Sequence, residues 1–215
     1  LVLRLASPII AGAPEVMAAM PSAEALKEEG SEHYKAGRLA VAGSFYRQAI
    51  LACPTLAEAH NNLGAVLRKR GKMHSATAAF QTALMLNPRS ASTYANLGNV
   101  HELNGNFAQA EAYYLRCIEL APKLYQAFIG LARIATHRKR WDDALESLTR
   151  ANAIAPESVD ILYQVGVVNL YKGNLNTALR SLRKAESLAP KQPDIKASLA
   201  EALFQQNNNT EAKDF

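Results

Sequence analysis

The chain has 215 residues, 24 Lys and Arg against 19 Asp and Glu, a formal charge of +5, and 49% hydrophobic against 20% charged residues. That balance excludes a largely disordered or collagen-like chain, and two cysteines exclude both a disulfide framework and a four-cysteine zinc site. Aromatic residues are only 7%, so a core must be built mainly from Ala, Leu, Val and Ile, and the small basic surplus forms no stripe of the kind nucleic acid needs.

Residues 1–22 read as a leader whose apolar residues are broken by Arg4, Pro8, Gly12, Pro14 and Glu15. No run in it, or elsewhere, approaches the ~20 apolar residues of a spanning helix. Ala11-Gly12-Ala13 has the small-x-small form of a signal-peptide cleavage site. No basic region precedes it and a proline follows, so a loosely packed or disordered tail is expected instead. The chain starts at Leu1 and stops at Asp214-Phe215 inside an expected helix, so a longer natural chain is also expected.

Beyond the leader, proline sets a register. Pro54, Pro88, Pro122, Pro156 and Pro190 are each 34 residues apart. Counted back, repeats cover 23–56, 57–90, 91–124, 125–158 and 159–192, and 193–215 is a partial sixth. The eighth position is Gly30, Gly64, Gly98, Ala132 and Gly166, and the twentieth is always Ala, from Ala42 to Ala178. The twenty-fourth is large: Tyr46, Phe80, Tyr114, Leu148 and Leu182. The twenty-seventh is small: Ala49, Ala83, Cys117, Ala151 and Ala185. The seventh is Leu63, Leu97, Leu131 and Val165, with Glu29 as the exception, and the fifteenth is Gly37, Gly71, Gly105 and Gly173, with Lys139 as the exception. Small residues let two helices, A and B, approach; large ones fill the space beside the contact. Glycine at the fifteenth position ends helix A in a left-handed conformation, and proline at the thirty-second ends helix B. Lys139 must either accept that strained conformation or change its turn, while Asn207 in the partial repeat suits it. Thr55-x-x-Glu58 has the form of a capping box opening the second repeat.

This wording resembles the tetratricopeptide repeat over residues 23–192, and in part over 193–215. The resemblance implies an all-α, right-handed α-solenoid of antiparallel helix pairs, with A helices lining a concave face that usually holds the ligand. On those A-helix positions the candidate peptide-binding residues are Lys27, Asn61, Asn62, Arg68, Lys69, Asn96, Asn99, Arg133, Tyr163, Gln164 and Tyr171. Glu102, Ile129, Gly130 and Leu170 share the register. The middle of this surface is rich in amides, which both donate and accept and so suit a peptide backbone; the fifth repeat turns apolar and aromatic, which suits a hydrophobic anchor.

Two narrower resemblances are partial. A chaperone-tail clamp would need five residues, of which Lys27 and Asn62 match while Ser31, Ser92 and Asn96 do not. The substrate-presenting arm of an O-GlcNAc-transferase-like glycosyltransferase carries an asparagine ladder, met here by Asn62 and Asn96 and nearly by Gln164, but not by Glu28 or Gly130.

No nucleophile elbow, phosphate-binding loop, HExxH or CxxC occurs. His33 and His101 share the eleventh position and are expected to pack rather than ligate. Cys117 is expected as a small core residue, and Asp142-Asp143 as dipole-complementing carboxylates at the start of a B helix. The runs Arg68-Lys69-Arg70-x-Lys72 and Arg138-Lys139-Arg140 fall where A helices end, and read as solvated turns. The expectation is a non-enzymatic scaffold without cofactor or metal, cytoplasmic with the nucleus as an option. It would bind a protein or peptide partner across repeats two to five rather than a small molecule, membrane or nucleic acid. An open end near Phe215 would offer a surface for a second copy.

Overall fold

The computed structural model describes the backbone of residues 21–211 and the side chains of 21–207. The leader up to residue 20 and the open end at Phe215 lie outside these. Among the described residues the chain is all-helical: α1 (Ala23–Lys35), α2 (Leu39–Ala52), α3 (Ala57–Lys69), α4 (Met73–Leu86), α5 (Ala91–Leu103), α6 (Phe107–Leu120), α7 (Tyr125–His137), α8 (Trp141–Ile154), α9 (Val159–Lys172), α10 (Leu175–Leu188) and α11 (Pro193–Glu211). Each odd helix pairs with the next as an antiparallel hairpin, one hairpin per repeat, and α11 packs as an unpaired A helix against α9 and α10. Two compact units result, α1–α4 and α5–α11, dividing between Leu86 and Asn87. In the first, α1 and α3 lie side by side, with α2 between successive hairpins. In the second, α5, α7, α9 and α11 neighbour one another in turn.

The proline register explains where the B helices stop. The residue before a proline is driven out of the α region by the ring's Cδ. Cys53, Ala121, Ala155 and Ala189 accordingly leave the α region, with φ between −136° and −142° and ψ between 67° and 91°. The A helices stop by a different device. Gly37, Gly71, Gly105 and Gly173 all have φ between 74° and 86°. Lys139 takes the same conformation at φ 58°, alone among the described non-glycine residues. Its turn does not change. Lys139 N donates to Thr136 O at 2.9 Å and Arg140 N to Ala135 O at 2.8 Å, the double bond of a helix C-terminus that Gly71 and Lys72 also make. The cost of a left-handed lysine is offset by those bonds and the packing on either side.

The core runs along the repeat's small and large positions. Ala42, Ala76, Ala110, Ala144 and Ala178 are fully buried, as are Ala49, Cys117, Ala151 and Ala185. A methyl group on Gly64 would stand 2.6 Å from the ring of Phe80, and one on Gly166 2.5 Å from Leu182, so glycine at the eighth position leaves room for the large residue at the twenty-fourth. Where Leu148 replaces the aromatic, Ala132 fits and is buried.

Two expectations fail here. Thr55 does not cap α3: Leu56 is the capping residue, with no side-chain bond, and the Thr55 hydroxyl lies 3.5 Å from Cys53 Sγ. The helix starts one residue later than the capping box requires because Pro54 holds the preceding turn. Asn207 makes no turn, since α11 runs through it to Glu211. Among the described residues no B helix follows to draw the chain back, so nothing there demands a left-handed residue.

Candidate functional site

The A helices of each unit present the residues to which the sequence assigns binding. In the first unit, α1 and α3 are tied by charge. Lys27 Nζ bonds Glu58 Oε2 at 2.7 Å and Glu24 Oε2 at 2.9 Å. The Glu58 bond, then that to Glu24, raises the Lys27 pKa against the opposing pull of burial, so it stays cationic. Between the same two helices, Lys69 Nζ stands 4.5 Å over the Tyr34 ring, a cation–π contact. Asn61 donates to Asn62 Oδ1 at 3.3 Å, and both amides are half-buried. Arg68 is half-buried, and its Nε is sealed from water with no hydrogen-bond partner.

In the second unit the corresponding surface is more closed. Arg133 on α7 grips Glu102 on α5 with both arms, Nε to Oε1 at 2.6 Å and Nη2 to Oε2 at 2.7 Å. Tyr114 on α6 donates its hydroxyl to Glu102 Oε2 at 2.7 Å. Burial pushes the Tyr114 pKa upward, and the Glu102 charge and hydrogen bond add to it, so the phenol remains a donor throughout the accessible range. Burial works against the Arg133 charge, but the Glu102 bonds outweigh it and the pKa rises. Gly130 belongs to this arrangement rather than to an open groove: a methyl group there would collide with the Tyr114 ring at Cζ. Asn99 is half-buried beside this cluster with its Oδ1 unpartnered, and Asn96 is half-buried one turn before it. Ile129 and Leu170 are buried and present nothing to a ligand. Tyr163 and Gln164 are half-buried on α9, and Tyr171 at its end is exposed, stacked on Trp141 at 6.0 Å.

Sequence reasoning missed Tyr114 as the organiser of this site. The signal was available: a tyrosine at a buried position that Phe80 fills in the second repeat brings a hydroxyl needing a partner. Tyr46, in the same register, finds Ser31 Oγ at 3.2 Å.

The remaining chemistry-bearing residues pack. His33 stacks on Phe45 at 5.2 Å and accepts from Arg38, and His101 stacks on Tyr113 at 5.2 Å. Cys117 is fully buried, which pushes its thiol up to about 11. Arg138 bonds Glu111 at 2.7 Å and Arg140 approaches Asp143 at 3.3 Å, so the second basic run is largely neutralised where α7 ends. Asp142 pairs with Lys172. Among the described residues, no group of His, Cys, Asp and Glu could hold a metal ion and no helix is long and apolar enough to cross a membrane.

Three tetratricopeptide-repeat models match the chain, at residues 55–123, 104–159 and 170–215. The chain is a tetratricopeptide-repeat protein. Solved structures of the same fold include TTC0263, a thermophilic TPR protein of Thermus thermophilus, at 22% identity and TM-score 0.74 over 85% of this chain and 100% of that one. PilW, a widely conserved type IV pilus biogenesis factor, superimposes at 18% identity and TM-score 0.72 over 88% and 92%. YrrB, a TPR protein with an unusual peptide-binding site, does so at 22% identity and TM-score 0.59 over 90% and 96%. No curated protein matches the chain in sequence. Tetratricopeptide repeats are protein–protein interaction scaffolds, in general without catalytic activity.

Proposed function

We propose that this TPR protein is a non-enzymatic scaffold that binds an extended peptide or a partner helix on the A-helix faces of its repeats. The observation that carries this reading is the set of half-buried amides there, Asn61 and Asn62 on α3 and Asn96 and Asn99 on α5. Amides held in place by packing bond a peptide main chain at low entropic cost and without demanding a particular side-chain sequence. Arg68 and Lys69 add positive charge to the face of α3, which suits a peptide with acidic residues or a free carboxylate, whereas the charge of Arg133 is met by Glu102. Tyr163 and Tyr171 supply flat apolar area for an anchor. The peptide-binding site described for YrrB, built on the same fold, supports the reading. The two thiols, Cys53 and Cys117, are free, which accords with a reducing, cytoplasmic setting.

A peptide array probed with the wild-type chain and with an Asn62→Ala/Asn96→Ala variant tests this. The hits of the wild type should weaken roughly tenfold for the variant, a change of about 1.4 kcal/mol. Binding that is unchanged across all hits rejects the amide-lined face.

A further inference from the structure

In later repeats, the third residue of helix A is sealed by the B helix that precedes it. Ala59 is fully buried in one cluster with Ala49 of α2, Ala127 with Cys117 of α6, and Ile161 with Ala151 of α8. The residue in that register in the first repeat is Ala25, and it is exposed. The seventh position follows suit: Leu131 and Val165 pack into those clusters, whereas Glu29 is exposed. Together they open onto a cavity of about 520 Å³ at the outer edge of α1 and α2. Pro21, Ala25, Leu26 and Phe45 line it with apolar surface, and Glu28, Glu29 and Glu32 with carboxylates. Glu32 bonds Lys35 at 2.7 Å, while Glu28 and Glu29 make no ion pair among the described residues.

We infer that this edge of the first repeat is a docking seat for a basic amphipathic α-helix of a partner protein, presenting a small residue to Ala25 and Lys or Arg to Glu28, Glu29 and Glu32. The helical form follows from the register, because within each unit the element occupying this place is a B helix with a small residue at its twenty-seventh position. Charge follows from the one register change. A carboxylate at Glu29 would be costly to cover with an apolar helix and favourable to cover with a cationic one. Covering Pro21, Ala25 and the half-buried Phe45 supplies the attraction, and the carboxylates select the partner.

Two occupants from the chain itself fit less well. The leader at residues 1–20 carries one Arg and one Glu, so it brings no net charge to the carboxylates. The basic α10, with Arg180, Arg183 and Lys184, has its small residue Ala185 already buried, so a second copy cannot offer it.

The test is fluorescence anisotropy on the full chain with a labelled Ala/Leu helical peptide of about 18 residues, flanked on its apolar face either by Lys or by Glu. The Lys peptide should bind and weaken as salt rises. A Glu29→Lys/Glu32→Lys variant should lose about tenfold or more in affinity, and Ala25→Arg should abolish binding. These positions are exposed, so the circular dichroism and melting of the variants should match wild type. Asn62→Ala/Asn96→Ala should leave this binding untouched, which separates it from the A-helix face. Equal affinity for both peptides, no affinity for the Lys peptide, or undiminished binding by Ala25→Arg overturns the inference. So does binding that appears only when residues 1–20 are removed, which would make the leader the occupant.

Discussion

The unit of α1–α4 and the unit of α5–α11 solve the same junction in different ways. Each joins neighbouring A helices by an ion pair between residues 31 apart, Lys27 with Glu58 and Glu102 with Arg133. In the first unit, the Lys27 side chain is 16% exposed but that of Glu58 is 70% exposed, so the carboxylate end of the pair is open to water. In the second, Glu102 is 13% exposed and Arg133 32%, and the hydroxyl of Tyr114 donates a third bond to the carboxylate. The spacing is shared but the registers are not: the first pair joins the fifth and second positions of repeats one and two, the second pair the twelfth and ninth of repeats three and four, so both the place along the helices and the surroundings differ. Gly130 lets the Tyr114 ring slide beneath Arg133, whereas Asn62 occupies that register in the first unit. At Gly130 the missing side chain leaves the room in which the polar network of the second unit closes.

The sharpest way to break this contrast is to put a side chain on the seat. Gly130→Ala should destabilise the protein by about 3 kcal/mol, read as a fall in urea midpoint without change in slope, because a ring held at its hydroxyl and packed around its edge cannot give way. A variant as stable as wild type would show that the network tolerates the space being filled.

Cutting the ion pairs should separate the units next. Arg133→Ala leaves Glu102 half-enclosed with only a phenol, and should cost about 2–3 kcal/mol after allowance for the partial exposure of Arg133. Lys27→Ala should cost about 0.5 kcal/mol, since its carboxylate partners return to water. Equal losses in denaturant unfolding would erase the distinction between the two junctions.

The thiols sharpen it further. Cys117, held up at about 11, should resist alkylation in the native state while the half-buried Cys53 reacts, and both should react once unfolded. A thiol whose pKa is raised on folding keeps more protons in the native state. Its stabilising share is therefore complete below the ordinary thiol pKa of about 8.5 and declines as pH climbs toward 11, by at most about 1.4 kcal/mol per pH unit. A Cys117→Ala variant should lose that slope.

The smallest effect belongs to the fourth turn. Lys139→Gly should stabilise the second unit by about 0.5–1 kcal/mol, as glycine holds φ 58° without strain. An unchanged melting temperature would mean that the surrounding bonds already absorb the strain.

Much of this architecture was legible before any coordinates. The prolines at 34-residue intervals and the small eighth, twentieth and twenty-seventh positions give every hairpin its bounds, because each acts within one or two turns of backbone. Lys139 stands out as a strained turn by its break in the glycine pattern alone. The candidate site was readable as a set of positions, but not in its state of pairing. Arg133 and Lys27 read alike as cations on A helices, yet Arg133 meets one enclosed carboxylate, Glu102, whereas Lys27 meets two that are largely exposed, Glu24 and Glu58. The capping box at Thr55 misled because a proline one residue earlier outranks a cap that needs the turn to relax.

The sequence by itself determined which segments are helices, where they end, and that they stack as repeats, since periodic sterics and local backbone preferences decide those things. Only the tertiary structure decided that Tyr114, Glu102 and Arg133 from three helices share one network, and that Ala25 stands uncovered where Ala59 is sealed. Those outcomes depend on distances between residues a whole repeat apart, and no local rule of the chain encodes how deeply water reaches between them.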